Sequence, residues 1–125
     1  MKVIVDNRDG IHNIDSEYID IDLVEAKEIL DSLDGQKHTL LCMERDDGWI
    51  MNIGGGKEFF VVTLSSNQDE NLTLFDPNGS ESVTVELCAG GQYADYPSMI
   101  VTDAVTAKNA LESFFLRNEM NLSWQ

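Results

Sequence analysis

Basic residues are scarce in this 125-residue chain: 8 Lys and Arg stand against 23 Asp and Glu, for a net charge of −15. From Glu58 to Ala107 there is no Lys or Arg at all. Such a field repels phosphate backbones, so direct nucleic-acid binding is not expected. It also repels anionic lipid surfaces. Cysteine is scarce too. Cys42 and Cys88 each sit in an apolar, strand-like stretch, and we expect reduced thiols that pack as small hydrophobes. One bridge at most is not a disulfide framework, and neither Cys has a second Cys or His at zinc-ligand spacing. The histidines are His12, in a polar early loop, and His38, at a strand start. Neither stands beside a Ser or Cys nucleophile pattern, so no catalytic set, metal or cofactor is expected and the chain does not read as an enzyme. No apolar run is long enough for a membrane span, and Met1-Lys2-Val3-Ile4-Val5-Asp6 lacks the apolar run and cleavage site of a signal peptide. The expectation is a soluble, cytoplasmic protein. In that setting the glycosylation sequons at Asn71 and Asn121 carry no weight.

What is present is a hydrophobic fraction of 42%, enough for one core in a single domain spanning residues 1–125. We see no internal repeat, linker or low-complexity tract. The acids are unevenly placed. Glu58, Asp69, Glu70, Asp76, Glu81, Glu86, Asp95 and Asp103 fall in the stretch without bases. The last segment, Ala104 to Gln125, is balanced, with Lys108 and Arg117 against Glu112 and Glu119. An acidic field favours a cationic partner and speeds encounter with it, although acidity also serves plain solubility.

Periodicity gives the elements. Leu23, Ala26, Ile29, Leu30 and Leu33 share one helical face, with Asp22 and Glu25 as a capping box and Gly35 as a stop, which predicts a helix over Leu23–Asp34. Strands are predicted at His38–Arg45, Trp49–Ile53, Phe59–Leu64, Leu72–Phe75 and Val83–Cys88, with a last one near Ser98–Val101. Asp46-Asp47-Gly48 and Asp76-Pro77-Asn78-Gly79 read as turns, Gly54-Gly55-Gly56 as a hairpin loop, and Gly90–Pro97 as a loop between strands. Thr102 or Asp103 caps a closing helix whose apolar face is Ala104, Ala107, Ala110, Leu111, Phe114 and Phe115. The fold class is α+β: an antiparallel sheet of about five or six strands, with an N-terminal-half helix and a C-terminal helix on one face.

Several clusters lose their functional reading on inspection. Gly54-Gly55-Gly56-Lys57 lacks the full phosphate-loop spacing and is followed by a strand. Asp15, Glu17, Asp20 and Asp22 have Ile and Leu where a calcium loop needs ligands and a glycine; a solvated strand edge and a helix cap explain them. The partner-binding candidates are Asp46 and Asp47 beside Trp49, Asp69 and Glu70, and the segment with Tyr93, Asp95 and Tyr96. Aromatics next to carboxylates suit an interface with Lys or Arg. Trp49 leans toward the core, because it heads the alternating set Trp49, Met51, Ile53.

The C-terminal third carries a family likeness. Cys88-Ala89-Gly90-Gly91-Gln92-Tyr93 ends a strand, a further strand follows, and Val101-Thr102-Asp103-Ala104 opens a helix bearing Ala110-Leu111 and Phe114-Phe115. A short tail closes at Leu122-Ser123-Trp124. This resembles the first-numbered immunity family of bacterial polymorphic toxin systems, whose members often accompany nucleic-acid deaminase toxins. The likeness is specific over about the last 30 residues and looser from Asp22 to Leu64. Asn118-Glu119-Met120-Asn121 stands where that family often has Gly or Pro. The resemblance implies a non-catalytic inhibitor, taken to be monomeric, that binds a basic cognate toxin domain and covers its active site. It implies a structural Trp124 pinning the tail under the closing helix. The alternatives are a small hydrolase or transferase with an unrecognised site, and a general acidic interaction domain.

Overall fold

The computed structural model describes residues 1–125. The chain opens with β1 (Lys2–Val5), a miniature hairpin of β2 (Arg8–Asp9) and β3 (His12–Asn13), and β4 (Ser16–Ile19). Helix α1 (Leu23–Asp31) follows, then β5 (Leu40–Glu44), β6 (Ile50–Gly56), β7 (Phe59–Ser65) and short β8 (Asn71–Thr73). A second hairpin, β9 (Thr84–Ala89) and β10 (Gln92–Pro97), precedes a 3-10 turn at Ser98–Ile100, β11 (Thr102–Asp103) and α2 (Ala104–Phe115). Seven strands make one sheet in the order β11-β7-β6-β5-β1-β4, with β8 also on β7. Every pairing is antiparallel, and both helices pack on one face, so the expected α+β class holds.

Strand periodicity builds that face. Val3 and Val5, Leu41 and Met43, Met51 and Ile53, and Phe60, Val62 and Leu64 point to one side and meet Ala26 and Leu30 of α1 and Ala107, Ala110, Leu111 and Phe114 of α2. Each helix begins on an aspartate. Asp22 accepts from the Glu25 amide at 2.8 Å, and Asp103 accepts from the Thr106 amide at 2.8 Å; such caps contribute about 1 kcal/mol each. The helices are bridged by Lys27–Glu112 at 3.1 Å and Lys108–Asp31 at 2.7 Å.

The opposite face is covered in part by the β9–β10 hairpin. Val61, Leu87 and Val101 form a second small core there, flanked by Val85, Tyr96 and Ile100. Gly54 makes the seating possible: a Cβ at that position would lie 2.6 Å from the Ala89 Cβ.

Five expectations need correction. Gly54-Gly55-Gly56 is not a loop but the end of β6, paired with Val61, Phe60 and Phe59; a side chain would meet the Ala89 Cβ at Gly54 and backbone at Gly55 and Gly56. Gly90–Pro97 is not a loop either. Only the two glycines turn, and β10 pairs with β9 in the register Tyr93↔Cys88 and Asp95↔Glu86. Its exposed outer residues mimic loop composition. The strand expected at Ser98–Val101 is a 3-10 turn, and the pairing falls at Thr102–Asp103 with Phe60 and Phe59. Helix α1 stops at Asp31, short of Asp34, because the Asp34 carboxylate accepts from the Gln36, Lys37 and His38 amides at 2.9, 2.9 and 3.0 Å and so holds a turn. The strand expected at Leu72–Phe75 lies at Asn71–Thr73. Strands β1 and β4 were not anticipated as a pair; β4 is the exposed edge strand that the Asp15–Asp22 acids suggested.

Candidate functional site

The basic side chains are largely spent inside the chain. Lys2, Arg8, Lys27, Arg45, Lys108 and Arg117 all form intramolecular ion pairs. Their partners lie outside the base-free stretch. None of its acids, from Glu58 to Asp103, takes part in an ion pair. That stretch, which includes β7 to β11 and their connections, therefore keeps all of its negative charge, with no cation of its own.

Asp46 and Asp47 lie in the β5–β6 turn and are committed to the fold. Asp47 receives Arg45 Nε at 2.9 Å and Arg117 at 3.1 Å, and Arg117 also pairs with Asp46. The Arg45 hydrogen bond is the main reason the Asp47 carboxyl titrates below its usual range; the Trp49 amide and both guanidinium charges add to it. Arg45 is itself buried. It donates to the Phe114 carbonyl at 2.8 Å and to Glu119 at 2.6 Å, and stacks 4.3 Å from the Phe114 ring centroid. Burial alone would lower its pKa, but the bonds to Glu119 and Asp47 raise it. Trp124 Nε1 donates to the Glu119 carbonyl at 2.7 Å, so the tail is pinned to the same cluster. Asp69 and Glu70 occupy the β7–β8 turn, exposed. That turn adjoins the β5–β6 turn, where Asn67 lies against Gly48.

Tyr93, Asp95 and Tyr96 form a separate group on β10. Tyr96 is partly buried against the Val61–Leu87–Val101 cluster. Tyr93 is 65% exposed and Asp95 is exposed as well. Directly across the ladder from Asp95 stands Glu86, also exposed. Paired residues of an antiparallel ladder project to the same side, and like charges placed so are destabilising. Glu86, Tyr93 and Asp95 thus share the outward face of a ribbon with no cation on it. Glu86 was not singled out in the sequence; the pairing register was needed to bring it opposite Asp95.

A buried polar network holds this hairpin in place, built from residues far apart in the chain. Asp6, 4% exposed, directly follows β1. Its carboxylate accepts from the Thr39 amide at 2.6 Å, the Leu40 amide at 3.0 Å, Arg8 Nε at 2.6 Å and the Thr39 hydroxyl. Burial acts to raise its pKa, yet the bonds from Thr39, Arg8 and Leu40 outweigh it and hold the carboxyl below its usual value. Thr39 Oγ1 in turn accepts from the Gly91 amide at 3.0 Å. Gly91, at φ +78°, leaves room for the Arg8 guanidinium against its Cα. His38 is engaged through Nδ1 with the Asp6 carbonyl at 2.7 Å. Cys42 and Cys88 are free thiols, and burial, with the Glu44 charge, pushes the Cys42 thiol up.

No group of three or more His, Cys, Asp and Glu side chains is arranged to hold a metal ion. No helix is long and apolar enough to cross a membrane. No protein-family model matches the chain, and no curated protein or solved structure matches it.

Proposed function

We propose that this protein is a cytoplasmic immunity protein: a non-catalytic inhibitor that binds a basic cognate toxin domain and blocks its active site with its acidic surface. The observation that carries the reading is the Glu86–Asp95 cross-strand pair beside exposed Tyr93. A folded chain gains nothing internally from two facing carboxylates; a cationic partner relieves their repulsion and gains two charge-assisted contacts. A nucleic-acid-targeting deaminase or nuclease fits as target, because its cleft must attract phosphates. The carboxylates then stand where phosphates would, and Tyr93 offers a ring where a base would stack. The likeness of residues 88–124 to the immunity family supports the same reading.

Co-expression tests it. The toxin domain encoded beside this chain should be tolerated with the wild-type chain and lethal with the E86K/D95K variant, whose fold is checked by circular dichroism. The association rate should fall at least about tenfold as salt rises from low to physiological strength. If no neighbouring toxin domain is better tolerated in the presence of this chain, the immunity reading is lost.

A further inference from the structure

The two ends of the main sheet are finished differently. At one end the chain covers its own edge: Thr73 of β8 exchanges bonds of 3.0 and 2.9 Å with Gln125, and the Phe75 amide donates to the Ser123 carbonyl at 2.9 Å. At the other end β4 pairs with β1 alone. The bonding phase there is fixed by the Asp20 amide, which donates to the Met1 carbonyl at 3.0 Å, and by the Ile14 amide, which donates to the Asn7 carbonyl at 3.0 Å. Antiparallel pairs alternate between bonded and non-bonded. Ser16 and Tyr18 therefore bond inward to β1, while Glu17 and Ile19 turn N–H and C=O outward, where no strand meets them. Such an edge is a template for a further strand, and proteins commonly blunt it with Lys, Pro or a covering segment. Strand β4 has none of these, and its Tyr18 and Ile19 are 39% and 64% exposed. Between β4 and α1 lies a cleft of about 360 Å³, with Val5, Tyr18 and Ile29 as its apolar lining and Glu25 and Glu28 as its acids. Neither glutamate has an ion-pair partner. On the opposite side of β4, Glu17 is met by Lys2 at 3.6 Å.

We infer that the β4 edge is a second docking surface, which binds an extended segment of a partner protein as an added antiparallel strand, with basic side chains on its helix side and apolar ones on the other. The basic side chains run their stems along Tyr18 and Ile29 and bring their charge to Glu25 and Glu28. The apolar ones lie beside Ile19. Main-chain bonds give the affinity, and the alternation of side chains gives the specificity. Charge selects this occupant. A second copy of this chain would set Asp15, Glu17 and Asp20 of both strands in one ladder, and like charges placed so are destabilising. The edge is distinct from the β9–β10 face: neither Glu86 nor Asp95 takes part, and the inference does not depend on the immunity reading.

The test uses the full ¹⁵N-labelled chain and the peptide acetyl-Lys-Val-Lys-Val-Lys-Val-amide. Paired residues project to the same side, so the valine amides of the added strand face β4 and the lysine amides face solvent. The peptide should shift the Glu17 and Ile19 amides saturably and slow their hydrogen exchange, and acetyl-Glu-Val-Glu-Val-Glu-Val-amide should do neither. N-methylation of the valines should abolish binding, and N-methylation of the lysines should preserve it. Ile19→Pro removes an outward N–H that bonds nothing in the fold and should also abolish binding. Glu25→Gln combined with Glu28→Gln should weaken it several-fold, whereas E86K/D95K should bind as wild type does at physiological salt. No saturable shift, equal binding of the glutamate peptide, or the same response to both N-methylated peptides would each overturn the assignment. Protection of the Glu17 and Ile19 amides that appears in the chain alone as its concentration rises would overturn it in favour of a second copy.

Discussion

The β5–β6 turn and the outer face of the β9–β10 hairpin look alike in sequence. Each sets carboxylates beside an aromatic ring, Asp46-Asp47 before Trp49 and Asp95 between Tyr93 and Tyr96. In the structure they part. The turn's acids are neutralised by Arg45 and Arg117, and Trp49 packs against the main core. The hairpin's acids face each other without a counter-ion. The difference is whether the chain itself supplies the cation. An acid that its own fold neutralises is architecture, and an acid left facing another acid is available for a partner.

The sharpest way to break this comparison is to take the cation away from the neutralised side. Arg45→Ala should cost about 3–5 kcal/mol, because it strands buried Glu119. Urea unfolding reads this directly. The double change Arg45→Ala with Glu119→Gln should recover part of the loss, since the stranded charge is then gone. A loss under about 1 kcal/mol in the single variant would mean that the Arg45 cluster is as expendable as an exposed ion pair.

The Asp6 network gives the next largest effect and a dependence on pH. Asp6→Asn replaces a carboxylate that accepts four bonds with an amide whose NH₂ meets donors. A loss of about 1–3 kcal/mol is expected at neutral pH. The sign with pH follows from the direction of the shift. The folded-state pKa lies below the ordinary 3.8, so this stabilisation is complete above that value and is lost as pH falls through the lower folded pKa. Wild type should therefore lose more stability than Asp6→Asn on acidification below about pH 4. Parallel acid titrations followed by near-ultraviolet circular dichroism check it. Equal slopes would show that Asp6 does not carry the linkage.

These networks also show where the sequence is readable. The helices are, because a cap residue and an apolar stripe lie within one short window: Asp22 before Leu23–Leu30, and Asp103 before Ala104–Phe114. The central meander is, because alternation and turn residues are local. The Arg45–Glu119 pair is not, since its members lie 74 positions apart, and neither is the bond from Thr39 to Asp6 across 33 positions. Strand β10 was hidden for another reason. With the ribbon's inner side small or aromatic and its outer side charged, its composition is that of a loop. Two signs of the candidate site were legible: the absence of bases between Glu58 and Ala107, and the aromatic rings Tyr93 and Tyr96 around Asp95. They marked the region and Asp95, but only the register could set Glu86 opposite it.

The smallest expected effect is also the most direct probe of the hairpin. Glu86→Gln removes half of a like-charge pair, so the free protein should become more stable, by about 0.2–1 kcal/mol at low ionic strength. Added salt should shrink that gain, because the pair is exposed and screened. The same change should slow association with a basic partner, since one attractive charge is gone from the encounter surface. Opposite signs for stability and for association rate in one variant are what separate a functional acid from a structural one. For Asp47→Asn, within the Arg45–Arg117 clamp, stability should instead fall by about 1 kcal/mol, a charge-assisted bond being weakened, with little effect on association. If Glu86→Gln lowers stability as Asp47→Asn does, the hairpin acids belong to the architecture and the contrast between the two regions disappears.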